Sequence, residues 1–309
     1  MHALTLGLRQ AVERKPDAQS TSFAPRRRTW RQTADRVGRV AGALATLEVE
    51  RGDRVAILAQ NSDRYFELMY AVAWVGAVLV PINTGLGSAE IEHILADSHA
   101  SILFIDGTMA HHLTALQHRV PHVREVVWID DIASPEGMLH YEDLSADELV
   151  PDAGASGADL AGLFYDGMAE NTAGTALTHG AMVGNAVEAI GHLGFDSNTV
   201  YLHASPMFEL AEDALTFGVT LAGGRHVFVP RFEPREVLQI VTADKVTHAQ
   251  LRPDMIDQLL SHRRFSDFDL STLSAILCGS TPISEPLLGK ATILLPGVRL
   301  IDAEGNSAS

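Results

Sequence analysis

Cysteine is all but missing from these 309 residues: Cys278 is the only one. A lone thiol excludes an internal disulfide and leaves no thiolate-rich metal site, and it points to a reducing, cytoplasmic setting. Basic charge is scarce as well. With 23 Lys and Arg against 39 Asp and Glu the net charge is −16, which excludes a duplex nucleic-acid partner, because affinity for a polyanion rests on clustered cations. The one basic run, Arg26-Arg27-Arg28, reads as a solvated turn. Long apolar runs are absent. The longest, 68–82, holds Gly76 and Pro81 and falls short of the ~20 residues that span a bilayer. It is expected to be a buried helix running into a strand, with no membrane partner. The first twenty residues show no continuous apolar core, so no secretory signal is expected. A Gly-x-Ser-x-Gly elbow is missing, and Gly85-Leu86-Gly87 lacks the third glycine of a dinucleotide fingerprint. His111, His112, His118 and His122 come without carboxylate or thiolate spacing and read as a solvated helix face rather than metal ligands.

What is present is ordinary globular material, 46% hydrophobic, enough for one large core or two smaller ones. Short apolar, β-rich runs recur at 54–58, 78–82, 101–105, 125–129, 161–165, 199–203, 226–229, 246–251, 274–278 and 299–302. Helical periodicity lies between many of them. In 89–98, Ile91, Ile94 and Leu95 share a face, Ser88 is placed to cap, and Glu90 and Glu92 suit the helix dipole. The alternation predicts an α/β fold with mostly parallel sheets flanked by helices. A composition shift at 145–159, rich in Asp, Gly, Ala and Ser, predicts two packed α/β subdomains, 1–155 and 156–309.

The most telling absence is local. The run Tyr165-Asp166-Gly167-Met168-Ala169-Glu170-Asn171-Thr172-Ala173-Gly174-Thr175-Ala176-Leu177-Thr178-His179 stands where a phosphate-holding loop belongs. Such a loop needs small residues whose N–H groups converge on oxygen, hydroxyls, and usually a Lys. No Lys is present, and Asp166 and Glu170 add negative charge. His179 is expected to open the following helix in a structural role.

Several stretches agree in order with one family. Thr29-Trp30, Gly52-Asp53-Arg54-Val55-Ala56, Asn61-Ser62 and Gly76-Ala77-Val78-Leu79-Val80-Pro81-Ile82-Asn83 are followed by Leu177-Thr178-His179, Pro206-Met207-Phe208, Leu221-Ala222-Gly223-Gly224, Val246-Thr247-His248 and Gly279-Ser280-Thr281-Pro282-Ile283-Ser284. Together they resemble the N-terminal part of an acyl-CoA synthetase of the adenylate-forming (AMP-binding) superfamily. The resemblance implies two steps: a carboxylate attacks the α-phosphate of ATP to give an acyl-adenylate, then the thiol of coenzyme A displaces AMP. It also implies a C-terminal lid domain that these residues do not include.

The resemblance places a degenerate phosphate loop at Asp166, Gly167, Met168, Ala169, Glu170, Asn171, Thr172 and Gly174. It places adenylate-binding groups at Gly279, Ser280, Thr281, Pro282, Asp302, Ala303, Glu304, Gly305 and Ser307. An acyl pocket is implied at Phe208, Glu209, Asp213, Ala214, Gly218, Arg252, Met255 and Cys278. Three departures fall on ATP handling. The loop Lys is missing; the Tyr-Gly-x-Thr-Glu pattern reads Glu304-Gly305-Asn306-Ser307-Ala308, without the adenine-stacking Tyr or the magnesium Glu; and Glu209 replaces a frequent His. Asp302, Ser307 and the 279–282 turn suit the AMP moiety of an acyl-adenylate. The expectation is a ligase that performs thioesterification to coenzyme A with adenylation impaired, similar to the non-adenylating acyl-CoA ligases of diterpenoid antibiotic biosynthesis and supplied by a separate adenylating ligase. Two alternatives stay open: a complete ligase using ATP and Mg, and an inactive acyl- or nucleotide-binding protein. Ala211, Ala214 and Gly218 would leave room for a bulky acyl group or else mark tight helix packing. Arg252 is placed to pair with Glu209 or with a substrate carboxylate. Cys278 reads as a buried pocket residue rather than a nucleophile.

Overall fold

The computed structural model describes residues 2–116, 119–165, 173–279 and 281–302. Two seven-stranded sheets organise them. The first runs in the order β7 (Leu139–His140), β6 (Glu125–Trp128), β5 (Ile102–Ile105), β3 (Arg54–Leu58), β4 (Val78–Pro81), β8 (Leu160–Phe164), β9 (Thr175–Thr178). The second runs β14 (Arg299–Ile301), β13 (Ala275–Leu277), β12 (His248–Gln250), β10 (Val200–His203), β11 (Arg225–Phe228), β1 (Gln19–Phe23), β2 (Arg26–Thr29). Only β2 and β9 run antiparallel to their neighbours; every other pairing is parallel. The helices are α1 (Thr5–Arg14), α2 (Trp30–Thr46), α3 (Asp63–Trp74), α4 (Ser88–Ser98), α5 (Leu113–Leu116), α6 (Tyr141–Leu144), α7 (His179–Leu193), α8 (Leu210–Ala222), α9 (Pro234–Asp244), α10 (Pro253–Leu260) and α11 (Glu285–Leu294). None is long and apolar enough to cross a membrane.

Each expected apolar run overlaps a strand, and 68–82 is the buried end of α3 followed by β4. The two sheets, however, do not divide at residue 155. Strands β1 and β2 complete the second sheet, with Thr21 facing His226 across a parallel pair, while β8 and β9 complete the first, with Gly162 facing Leu79. Each half of the chain thus lends an edge hairpin to the other half's sheet. Nor is 145–159 a free linker. Val150 N–H donates to Gly38 O, the Trp74 indole donates to Val150 O, and Ala153 N–H donates to Trp74 O. A Cβ on Gly42 would lie 2.0 Å from Glu148 O, so this segment packs directly on α2 and only glycine allows the approach.

Two further expectations are corrected. Arg26 and Arg28 are not solvated. β2 turns them onto α3, where Arg26 binds Asp63 (2.8 Å) and Asp131 (2.5 Å), and Arg28 binds Asp63 and Glu67. Arg27 alone of the three faces solvent, with its guanidinium 3.3 Å from Asp244. At α4, Ser88 is the first helical residue, and Glu90 closes the turn by accepting the Gly87 N–H at 2.7 Å. The Ser88 hydroxyl is bonded instead to His112 Nδ1 (2.8 Å), which buries His112 and takes it off the solvated face. The strands missed from sequence, β1, β2, β7 and β9, are edge or near-edge pieces with polar composition. They are held by main-chain pairing rather than by apolar pattern.

Candidate active site at the switch point of the second sheet

From β10 the chain moves to β11 on one side, then returns past β10 to lay down β12, β13 and β14 on the other. The order therefore reverses between β10 and β12, and ligands of open parallel sheets bind outside the carboxyl ends of the strands at such a reversal. Around that reversal lie Ser205 to Glu209 after β10, Leu251 and Arg252 after β12, Cys278 and Gly279 after β13, and Asp302 after β14. Residues scattered from 205 to 302 in sequence are thus gathered at one end of one sheet. Thr281 and Pro282 follow Gly279, whose φ of +72° suits glycine in the turn. Ser280, Ala303, Glu304, Gly305 and Ser307 lie outside the described residues, as do Asp166 to Thr172. The stems of that loop are described: β8 and β9 form an antiparallel hairpin with Phe164 facing Thr175. Gly174 stands at its mouth, where a Cβ would meet Leu163 and Tyr165 at under 3 Å.

The turn after β10 is held from the first sheet. Asn61, just beyond β3, donates from Nδ2 to the carbonyls of His203 (3.1 Å) and Ser205 (2.7 Å), and its Oδ1 accepts the Met207 N–H at 2.8 Å. One buried amide therefore satisfies three main-chain groups of the turn that carries Phe208 and Glu209. The Glu209 carboxyl is half-buried; burial and the neighbouring Glu212 raise its pKa, and the Arg252 guanidinium offsets part of that. The direct partner of Arg252 is Asp254, two residues on, at 3.1 and 3.3 Å. That local pair at the start of α10 replaces the expected pair with Glu209.

The expected acyl-pocket residues do not share one surface. Ala214 is partly buried and Ala211 exposed on α8, next to the half-buried Phe208 and Glu209. Gly218 faces α7, where a Cβ would stand 3.0 Å from Ala186 O, so its small size serves close helix packing. Asp213 is buried on α8 with Oδ1 unpartnered, and burial drives its carboxyl well above the usual range, helped by Glu212. Met255 and Cys278 belong to the core formed with α9, α10 and α11, together with Leu202, Ala249 and Leu251. Strand side chains alternate faces, so this core lies across the sheet from α8. Burial pushes the Cys278 thiol up to about 12, which removes nucleophilic character at neutral pH.

Sequence reasoning missed a buried polar chain on the α8 face. Tyr201 Oη donates to Glu212 Oε2 (2.9 Å), Glu212 Oε1 meets His203 Nδ1 (2.8 Å), His203 Nε2 meets His226 Nδ1 (2.9 Å), and His226 Nε2 meets Thr220 Oγ1 (2.9 Å). Thr220 donates on to Thr216 O, and Thr216 to Glu212 O. Burial raises the Glu212 carboxyl and lowers both imidazoles, His203 to about 3. The neutral forms satisfy every contact in one direction: Glu212 donates to His203, His203 Nε2–H to His226, and His226 Nε2–H to Thr220. Nothing in the spacing of these residues announced the chain, because strand and helix join only in the fold. His179, as expected, opens α7; its Nδ1 accepts the Leu4 N–H at 3.3 Å in a fully buried setting. Among the described residues no group of three or more His, Cys, Asp or Glu is arranged to hold a metal ion.

Residues 8–305 match the family described as AMP-binding enzyme. The chain belongs to that family. Among its relatives, the feruloyl-CoA synthase of an Amycolatopsis species is 32% identical over 267 residues, which cover 85% of this chain and 51% of the relative. The peroxisomal trans-cinnamate:CoA ligase of Petunia hybrida is 28% identical over 308 residues, covering 92% and 54%. The chain thus spans about half the length of these curated relatives. In fold, it superposes on the anthranilate CoA ligase AuaEII in complex with anthranoyl-AMP with a TM-score of 0.91 at 22% identity, over 98% of this chain and 59% of that one. The N-terminal domain of FACL13 from Mycobacterium tuberculosis gives 0.88 at 23% identity, over 98% and 75%. The α/β architecture of two mostly parallel sheets is that of this AMP-binding family's N-terminal domains.

Proposed function

We propose that this AMP-binding protein receives a carboxylic acid, or its acyl-adenylate, at the switch point of the second sheet and supports thioesterification to coenzyme A, with ATP-dependent adenylation impaired. The observation that carries the reading is the composition of 165–179, where Glu170 and Asp166 stand without a Lys in the segment that links the hairpin strands β8 and β9. A polyphosphate there would lose charge-assisted contacts worth about 1.5–3 kcal/mol each. Ala308 likewise offers no oxygen to a magnesium ion. Glu209, with its carboxyl raised by burial, adds no cation in the place where relatives often carry His. In this reading the AMP moiety lies along Gly279–Pro282 and Asp302, a separate ligase supplies the adenylate, and the 309 residues by themselves transfer little to coenzyme A.

The complete ATP- and Mg-dependent ligase is the second reading, favoured by the relatives, which are named as CoA ligases and synthases. Calorimetric titration separates the two. The impaired reading expects a nonhydrolysable acyl-adenylate mimic to bind at least about a hundredfold more tightly than MgATP, the equivalent of one or two lost charge-assisted contacts. Equal affinities, or brisk exchange of labelled pyrophosphate into ATP, would return the protein to the complete ligases.

A further inference from the structure

The first sheet has a reversal of its own. From β3 the chain moves to β4 on one side and then to β5 on the other, so a second place of the kind that receives ligands in open parallel sheets lies outside the carboxyl ends of β3 and β5. A cavity of about 230 Å³ occupies it. Its polar wall comes from Gln60 after β3, Asp106 after β5, Asp130 and Asp131 after β6, and Arg64 in the first turn of α3. Phe23, Ile129 and Pro230 supply an apolar wall. The volume is below the about 300–1,000 Å³ of pockets for drug-sized molecules, which suits a small metabolite.

Most of these polar groups are already engaged. Asp106 accepts from Gln60 N, Thr108 N, Thr108 Oγ1 and Met109 N, which fills the about four acceptor positions of a carboxylate. Asp131 is shared between Arg26 and Arg64, and Arg26 gives its other nitrogens to Asp63. Three groups keep capacity. Asp130 accepts two main-chain N–H groups, from Gly107 at 3.0 Å and from Asp131 at 2.6 Å, so about two of its acceptor positions are open. Arg64, 4% exposed, donates from Nε to Glu142 and from Nη2 to Asp131, and its Nη1 makes no hydrogen bond among the described residues. The side-chain amide of Gln60 likewise makes none, its bond to Asp106 being a main-chain one. A guanidinium nearly closed off from water with a free terminal nitrogen calls for an acceptor inside the cavity. The carboxylates do not make a metal site, since among the described residues no group of three or more His, Cys, Asp or Glu is arranged to hold an ion.

We propose that this cavity is a second ligand site, for a small zwitterion that carries an ammonium and a carboxylate on one frame, a free α-amino acid. The ammonium donates to Asp130, the carboxylate accepts from Arg64 Nη1 and the Gln60 amide, and the side chain lies on Phe23, Ile129 and Pro230. One open anion and one open cation in a small cavity select a ligand with both charges, because an amine or an acid alone leaves one of them unpaired. The site is separate from the reversal of the second sheet and does not rest on the acid-binding reading.

Calorimetric titration of the 309-residue protein with glycine, serine, leucine and phenylalanine tests it. At least one should bind with a Kd below about 1 mM. Its amide, which lacks the carboxylate, and the matching carboxylic acid without the amine should each bind at least about tenfold more weakly. An excess of the nonhydrolysable acyl-adenylate mimic should leave amino-acid binding unchanged. Asp130→Asn should weaken the amino acid at least about tenfold and Gln60→Leu at least about threefold. Absence of binding by all four amino acids overturns the site, as does an amide or acid that binds as tightly as the amino acid. Displacement by the mimic would move the amino acid to the second sheet, and full affinity in either variant that melts as the parent does would remove the proposed contacts; each overturns the proposal while leaving the acid-binding reading standing.

Discussion

At the level of single residues the decisive feature is how many ionisable groups are buried neutral. Glu212 and Asp213 hold protons well above the carboxylate range because burial penalises their anions, and His203 and His226 are kept unprotonated for the same reason. The signs oppose each other. A raised carboxyl favours the folded state most below its unfolded pKa of about 4.5, and that contribution is lost as pH rises toward the folded value. A lowered imidazole does the reverse: its contribution is full above about 6.5 and is lost as pH falls through the folded value, which for His203 is about 3. Glu212→Gln keeps an acceptor for Tyr201 and a donor for His203 while removing the proton linkage. Its melting temperature relative to the parent should therefore climb between pH 5 and pH 8, by up to about 1 kcal/mol of stability per pH unit. A flat difference across that range would mean that Glu212 is ionised in the folded protein. The residue scale also shows what a sequence conceals. Cys278 was legible as a buried thiol because it ends an apolar run, whereas Arg252 was misread, because the carboxylate that claims it, Asp254, lies only two positions away.

At the level of elements, apolar runs announced the central strands, and composition hid the edge ones. Strands β3, β4, β5 and β10 have every residue buried or nearly so, which is why they read as continuous hydrophobic segments. β1 and β2 are written Gln-Ser-Thr-Ser-Phe and Arg-Arg-Arg-Thr, and only pairing with β11 and with each other makes them strands. Helix α2 opens on a capping box found in the structure, with Thr29 Oγ1 accepting from Gln32 N and Gln32 Oε1 accepting from Thr29 N. The reason for its Gly42 was not legible in the sequence, because it is a carbonyl more than a hundred residues away. Gly42→Ala would bring Cβ within 2.0 Å of Glu148 O. It should cost about 1–3 kcal/mol despite the better helix propensity of alanine, seen as a lower melting temperature. An unchanged melt would show that 145–150 does not pack on α2 in solution.

At the level of the whole molecule the two sheets are bound by exchange. The hairpin β1–β2 from the start of the chain edges the second sheet and carries Arg26 and Arg28 onto Asp63, Glu67 and Asp131 around α3. Arg64 of α3 in turn reaches Asp131 and Glu142, both at 2.7 Å. Asn61 adds a further link, from the carboxyl end of β3 to the turn that opens α8. Asn61→Ala would strand the Ser205 carbonyl and the Met207 N–H in a buried place and leave His203 O with the Val229 N–H alone, a loss of about 3 kcal/mol. It should also loosen the Phe208–Glu209 turn, so the acyl-adenylate mimic should bind more weakly in the variant even at temperatures where it remains folded. Retained affinity with lowered stability would confine Asn61 to a structural role.

The chain's own order of residues determined the class of fold and the family, because apolar periodicity and short turn motifs act over a few neighbours and survive in any context. Tertiary structure alone decided which half owns each edge strand, that Gly218 and Cys278 face away from the crevice, and that Tyr201, Glu212, His203 and His226 form one chain. Those outcomes depend on which groups meet across tens or hundreds of positions, and on which of them burial leaves with neither water nor a partner.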